Sequence, residues 1–322
     1  MASFVIHHIV GVRVLSLLEE YGVKLSEQQK TQFLLGNLIA DSTKLKLEVK
    51  EGEDKELAKK RFRKNVQAEK VFTHFRDEGD ANLCIQVPVP EKFITKYEKI
   101  LESDLSALGY LLHLYTDKEF FQELFPATFE TLDDNLEPTI YLKEATKIRV
   151  KKDGKVYDTK EFWNNKGKGS IYEDYTIMNK ILLDYFSVNF NKFSFISAIA
   201  DFHKLIVVEE YYGKLIGNIH KFLIDCFIAE YGEEKFVSII AKFLNPGIEE
   251  VDYANIVEVI NKTDTFIKES HEKTDSTLCV FTEENVIKFV DVVAKCFIQA
   301  YLEQLKALGI KEGHSRKLTP NK

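Results

Sequence analysis

Proline and glycine are scarce in this chain, with 6 and 15 among 322 residues. Both interrupt regular structure, so the long stretches of Leu, Ile, Lys and Glu between them favour a mostly helical chain. Cysteine is sparse too: Cys84, Cys226, Cys279 and Cys296 stand far apart, with no paired spacing. Cys226 and Cys296 fall inside apolar helical patterns, where a buried reduced thiol is expected, and that usage suits a reducing compartment. There is no surplus of positive charge. Lys and Arg number 44 against 51 Asp and Glu, a net charge of −7, so general nucleic-acid affinity through a basic surface is not expected. No stretch is apolar enough to span a bilayer. The N-terminus has no basic start, and Arg13 and Glu19 interrupt any apolar run, so no signal peptide is expected. Together these point to a cytoplasmic protein.

Several catalytic signatures are missing as well. The chain has no Gly-x-Ser-x-Gly nucleophile elbow, no Gly-x-x-x-x-Gly-Lys phosphate loop and no Gly-x-Gly-x-x-Gly turn. Adjacent His-Asp, the mark of one class of helical metal phosphohydrolases, is also absent.

What is present is an ordinary globular composition, 45% hydrophobic and 30% charged, long enough for one large or two smaller domains. Residues 4–21 start apolar and become amphipathic, and Gly22 ends them. His7 and His8 are neighbours near that start and point in different directions, so at most one is expected to face the core. Further helices are expected at 29–39, 93–101, 106–125, 171–188, 193–229, 233–244, 249–270 and 282–308. The charged block 44–70 reads as a solvated loop or exposed helix face. A phosphate contact through Lys44, Arg61 or Arg63 is the weaker alternative. Residues 84–90 look extended, and 148–157 alternate around Asp153-Gly154, a strong hairpin signal. The expected architecture is all-α, a multi-helical bundle with a small β-hairpin insertion. Residues 1–136 form its helical core, 137–170 the insertion, 171–312 the helices completing the same domain, and 313–322 a disordered tail.

The stretch that carries chemistry is Gly109-Tyr110-Leu111-Leu112-His113-Leu114-Tyr115-Thr116-Asp117. His113 and Asp117 are four apart on an apolar helix, so both project from one face and can close on a single cation. Taken alone, the pair reads more simply as a hydrogen-bonded His and Asp in a core. His8, Asp41 and His74 also lie at the ends of apolar segments, and two His with two Asp make a plausible zinc set. His74 alone is most simply a core histidine, and Asp41 alone a cap or turn residue.

The order His8, Gly36-Asn37-Leu38-Ile39-Ala40-Asp41, Thr73-His74-Phe75 and the Gly109–Asp117 stretch resembles the zinc-dependent phospholipase C family, which shares its helical fold with the P1-type nucleases. The resemblance covers roughly residues 1–125. It implies one zinc held by Asp41, His74, His113 and Asp117, with Asp117 bridging to a second held by His8. It also gives Asp41 a catalytic role. The chain departs from the family in lacking the two His and a Glu that hold a third zinc soon after the central helix. Glu173 and Asp174 could rebuild that site but read more simply as acids complementing a helix N-terminus. His203 and His220 read as core or surface histidines. An intact Met1 also makes a processed α-amino ligand unexpected. The implied function is a metal-dependent phosphoric ester hydrolase, phospholipase C-like, with one or two zinc ions and a phosphate-ester small molecule or lipid headgroup as substrate. The alternative is a helical binding or scaffold protein that keeps a structural metal. A third reading makes the five residues unrelated core and cap groups.

Overall fold

A computed structural model describes residues 4–40, 49–164, 171–187 and 277–309. Asp41, the expected helices at 193–229, 233–244 and 249–270, His203, His220 and the expected tail lie outside the described residues. Of the described residues, 64% are helical, and a small three-stranded antiparallel sheet accompanies them. No helix among them is long and apolar enough to cross a membrane.

The helices that build the centre come first. Helix α1 (Phe4–Glu20) packs against α2 (Glu27–Ile39), α5 (Leu105–Glu119), α8 (Ile171–Tyr185) and α9 (Glu283–Leu308). With neighbours on so many sides its first turns are enclosed all round, and Ile6, His7, His8, Ile9 and Val10 are all fully buried. The expectation that at most one of the two histidines faces the core is therefore corrected. Between them in sequence, α3 (Lys55–Thr73) occupies much of the charged block. Asp54 caps it by accepting from the N–H groups of Glu56 and Leu57. Arg61 of this helix is paired with Glu53, Nη2 to Oε2 2.9 Å, which occupies one expected phosphate contact. Lys44 and the Arg63 side chain lie outside the described residues.

Helices α2 and α5 make the most extensive helix pair. Their backbones touch. A Cβ at Gly36 would collide with the Ser106 carbonyl oxygen, and one at Gly109 with the Phe33 carbonyl oxygen. Only residues without a side chain permit so close a crossing. Helix α4 (Pro90–Leu101) packs on the far flank of α5, and Phe93 stacks on Tyr110 with ring centroids 5.0 Å apart.

The expected helix 106–125 is instead interrupted after Glu119. A wider turn at Phe120–Leu124, closed by the Phe125 N–H donating to the Phe120 carbonyl, leads into α6 (Phe125–Thr128). This turn feeds an aromatic cluster of Phe120, Phe121, Phe125 and Phe281. The expected hairpin forms: β2 (Lys147–Val150) pairs with β3 (Val156–Asp158), Ile148 opposite Tyr157. A third strand, β1 (Phe129–Leu132), joins from before the expected insertion, with Phe129 opposite Val150. The short α7 (Thr159–Asn164) follows.

Asp174 corrects a further expectation. Its carboxylate accepts from the backbone N–H groups of Cys279 (2.7 Å), Val280 (2.6 Å) and Phe281 (2.9 Å). It pins the chain just before α9 to α8, so it neither rebuilds a metal site nor complements its own helix end. Burial pushes its carboxyl up against the pull of those three donors. In α9, Val286, Phe289, Val290, Val293 and Phe297 are buried at helical spacing. Cys296 falls off that stripe and is exposed, contrary to the buried thiol expected.

Helix propensity alone says that Gly109→Ala should stabilise by up to about 1 kcal/mol. The backbone contact reverses the sign, because a carbonyl of a packed helix cannot move aside as a side chain can. Urea denaturation of Gly109→Ala is expected to show a loss of about 1–3 kcal/mol, typical of overpacking. A gain in stability would contradict the close crossing.

Candidate metal centre

Two helices and one helix end deliver four polar side chains to a single buried point. His113 and Asp117 come from consecutive turns of α5, as their spacing requires, and both are fully buried. The α2–α5 crossing places the Asn37 carbonyl 2.8 Å from His113 Nδ1. A carbonyl can only accept, so Nδ1 carries a proton and Nε2 is the ring atom turned inward.

His74 sits at the C-cap of α3. The Phe75 N–H donates to the Phe72 carbonyl (3.3 Å) and the Arg76 N–H to the Val71 carbonyl (3.0 Å), the bond pattern of a Schellman cap. The residue in the left-handed position is Phe75, φ 53°, where glycine is usual. Its ring is held edge-on by Phe93 and Tyr97, at 5.3 and 6.4 Å, which offsets the strained backbone. Tyr110 of α5 donates its hydroxyl to the Thr73 carbonyl at 2.5 Å and so ties this cap to the central helix. Thr73 Oγ1 lies 2.9 Å from His74 Nδ1 and orients the ring.

The inward atoms then approach one another. His74 Nε2 is 3.2 Å from His113 Nε2 and 3.6 Å from Asp117 Oδ2. His7 of α1 stacks on His113 with ring centroids 3.7 Å apart and planes inclined by 12°. Its Nε2 is 3.4 Å from Asp117 Oδ1. Neither ring nitrogen of His7 makes a hydrogen bond, although the residue is fully buried. Burial would push the Asp117 carboxyl up. The attraction of His7, with a contribution from His113, outweighs it and holds the group well below the usual carboxylate range.

Of the residues expected from sequence, the structure brings His74, His113 and Asp117 together. Asp41 lies outside the described residues. His8 is fully buried about 100° round the helix from His7, and burial pushes its imidazole down to about 3. The ligand atoms that group with those of His113 and Asp117 are those of His7. Periodicity could not choose between the two neighbours, because a helix enclosed on every side has no polar face to mark the difference. Comparison with protein-family models, curated proteins and solved structures found no match for this chain.

Chemically, the donor set fits a divalent cation. Zinc takes imidazole nitrogens and carboxylate oxygens at about 2.0–2.1 Å, so ligand atoms on a tetrahedral shell lie about 3.3–3.4 Å apart. The separations here, 3.2, 3.4 and 3.6 Å, bracket that edge length. His7, His113 and Asp117 each offer a ligand atom within 4.8 Å of the others, so these three could hold one ion. Because the His7 and His113 rings are stacked and inclined by only 12°, such an ion would lie out of the plane of at least one of them. The two oxygens of Asp117 face different imidazoles, Oδ2 towards His74 and Oδ1 towards His7, which gives two candidate half-sites.

The assignment of His7 is checked by comparing His7→Gln with His8→Gln by elemental analysis. His7→Gln is expected to lose bound metal, whereas His8→Gln retains it in whatever fraction of the protein stays folded. The reverse pattern would return His8 to the site.

Proposed function

We propose that the protein is a metal-dependent phosphoric ester hydrolase, with a zinc centre and fold of the phospholipase C and P1 nuclease type. The observation that carries this reading is the sharing of one buried carboxylate between two sets of imidazoles at tetrahedral-edge distances. The His7 and His113 rings stack with centroids 3.7 Å apart, so each could offer a nitrogen to a different ion. Dinuclear phosphoester hydrolases hold their ions about 3.5–4 Å apart. The nitrogen-rich donor set favours zinc over magnesium or calcium, which take oxygen shells.

Two ions bound there would supply an activated water and neutralise charge on the phosphoryl oxygens. The chain's own residues prepare that chemistry. His74 and His113 turn their Nε2 atoms inward because Thr73 and the Asn37 carbonyl engage their outer nitrogens. Asp117, kept ionised, offers one oxygen to each half-site. The packed helices α1, α2 and α5 exclude water from the inner face. Asp41, one position beyond Ala40, is proposed to complete the His74–His113 half-site and to act in catalysis. The substrate is a phosphate ester, a small molecule or a lipid headgroup.

Metal analysis of the purified protein, paired with hydrolysis of a chromogenic phosphodiester and of phosphatidylcholine, tests the proposal. About two zinc ions per chain are expected, with turnover abolished by chelator and restored by zinc. His113→Ala should weaken metal binding by more than the 10–100-fold typical of losing an outer-shell partner. About one tightly held ion without turnover on either substrate would favour a structural site. No metal would leave the histidines and Asp117 as a hydrogen-bonded core cluster.

A further inference from the structure

We infer that Asn37 is a positioning residue that sets the His7 half-site of the metal centre, an inference that rests on the metal reading above. Asn37 is fully buried, and it reaches both members of the stacked imidazole pair through different groups. Its backbone carbonyl accepts from His113 Nδ1. Its side-chain amide donates to the backbone carbonyl of His7. One residue of α2 therefore spans from the ring of one ligand to the backbone of the other.

Two further observations mark this link as built for that purpose. The other end of the amide, Oδ1, has no hydrogen-bond partner. A buried amide satisfied at one end only is a costly space-filler, and an apolar residue would pack α1 on α2 without that penalty. The approach also depends on Gly11. A Cβ there would lie 2.9 Å from Asn37 Nδ2 and 2.8 Å from Leu34 Cδ2, displacing the amide from the His7 carbonyl. The sequence thus clears space on α1 for a polar contact that leaves one of its own atoms unsatisfied.

The two links fail differently, which makes the inference testable. The backbone carbonyl to His113 survives any substitution at position 37. The amide to His7 does not. Removing the side chain should spare the His74–His113 half-site and loosen the one that His7 serves.

Cobalt(II) titration of the full-length metal-free protein, followed by visible absorption, separates the two sites. Wild type should take up two cobalt ions with intense tetrahedral bands. Asn37→Ala should bind the first with wild-type affinity and spectrum, and the second at least tenfold more weakly. Gly11→Ala, which keeps the amide but pushes it aside, should reproduce the selective loss, and it serves if Asn37→Ala does not fold. Melting of the metal-free forms identifies which variants are folded. Two wild-type affinities and an unchanged spectrum in a folded variant, whatever its melting temperature, would make Asn37 merely structural and overturn the inference. Equal weakening of both ions would overturn it too, as general loosening. If wild type itself binds no cobalt, the metal reading fails and this inference falls with it.

Discussion

The contact between the backbones of α2 and α5 is the constraint on which the rest depends. Helices normally stand 8–10 Å apart because side chains separate them. At Gly36 and Gly109 nothing does, and the carbonyls of Ser106 and Phe33 occupy the space where a Cβ would stand. This proximity is what allows a main-chain carbonyl of α2 to orient an imidazole of α5. It also seats α2 deeply enough for the Asn37 amide to reach the next helix. A wider crossing would leave the same residues in the core with no common point.

Burying three imidazoles and a carboxylate together is costly unless each is compensated. The outer nitrogens are satisfied locally, by Thr73 for His74 and by the Asn37 carbonyl for His113. The inner atoms face one another at 3.2, 3.4 and 3.6 Å, separations that suit a shared cation. On the proposed reading, this contrast between satisfied outer nitrogens and facing inner atoms would mark a centre for a ligand rather than a polar network built for stability.

Much of the fold is legible in the sequence. Sparse breakers predict the helices, and α1 and α9 lie within a residue of where the apolar pattern puts them. His113 and Asp117 could be paired because four residues is one turn of a helix, and the Asp153-Gly154 hairpin follows from turn geometry. The failures have a common cause, which is that neighbours in space rather than in sequence decided them. His7 and His8 could not be ranked because α1 is surrounded. Asp174 departs from the expected helix-end role because its donors lie more than a hundred residues away. Strand β1 depends on a partner that begins only at Lys147. Cys296 belongs to an apolar-looking run, yet the helix turns it outward.

The donors are also scattered along the chain: His74 and His113, whose Nε2 atoms nearly touch, are 39 residues apart. The four cysteines show no paired spacing, so nothing in the sequence marks a disulfide to brace this core. An ion held between these imidazoles would act as the missing cross-link. In chain-entropy terms, closing a loop of that length removes freedom from the unfolded state worth about 4 kcal/mol. The cross-link would be reversible, set by free metal rather than by oxidant. Stability and chemistry would then share one ligand, and a core that looks over-furnished with histidine would be a clasp.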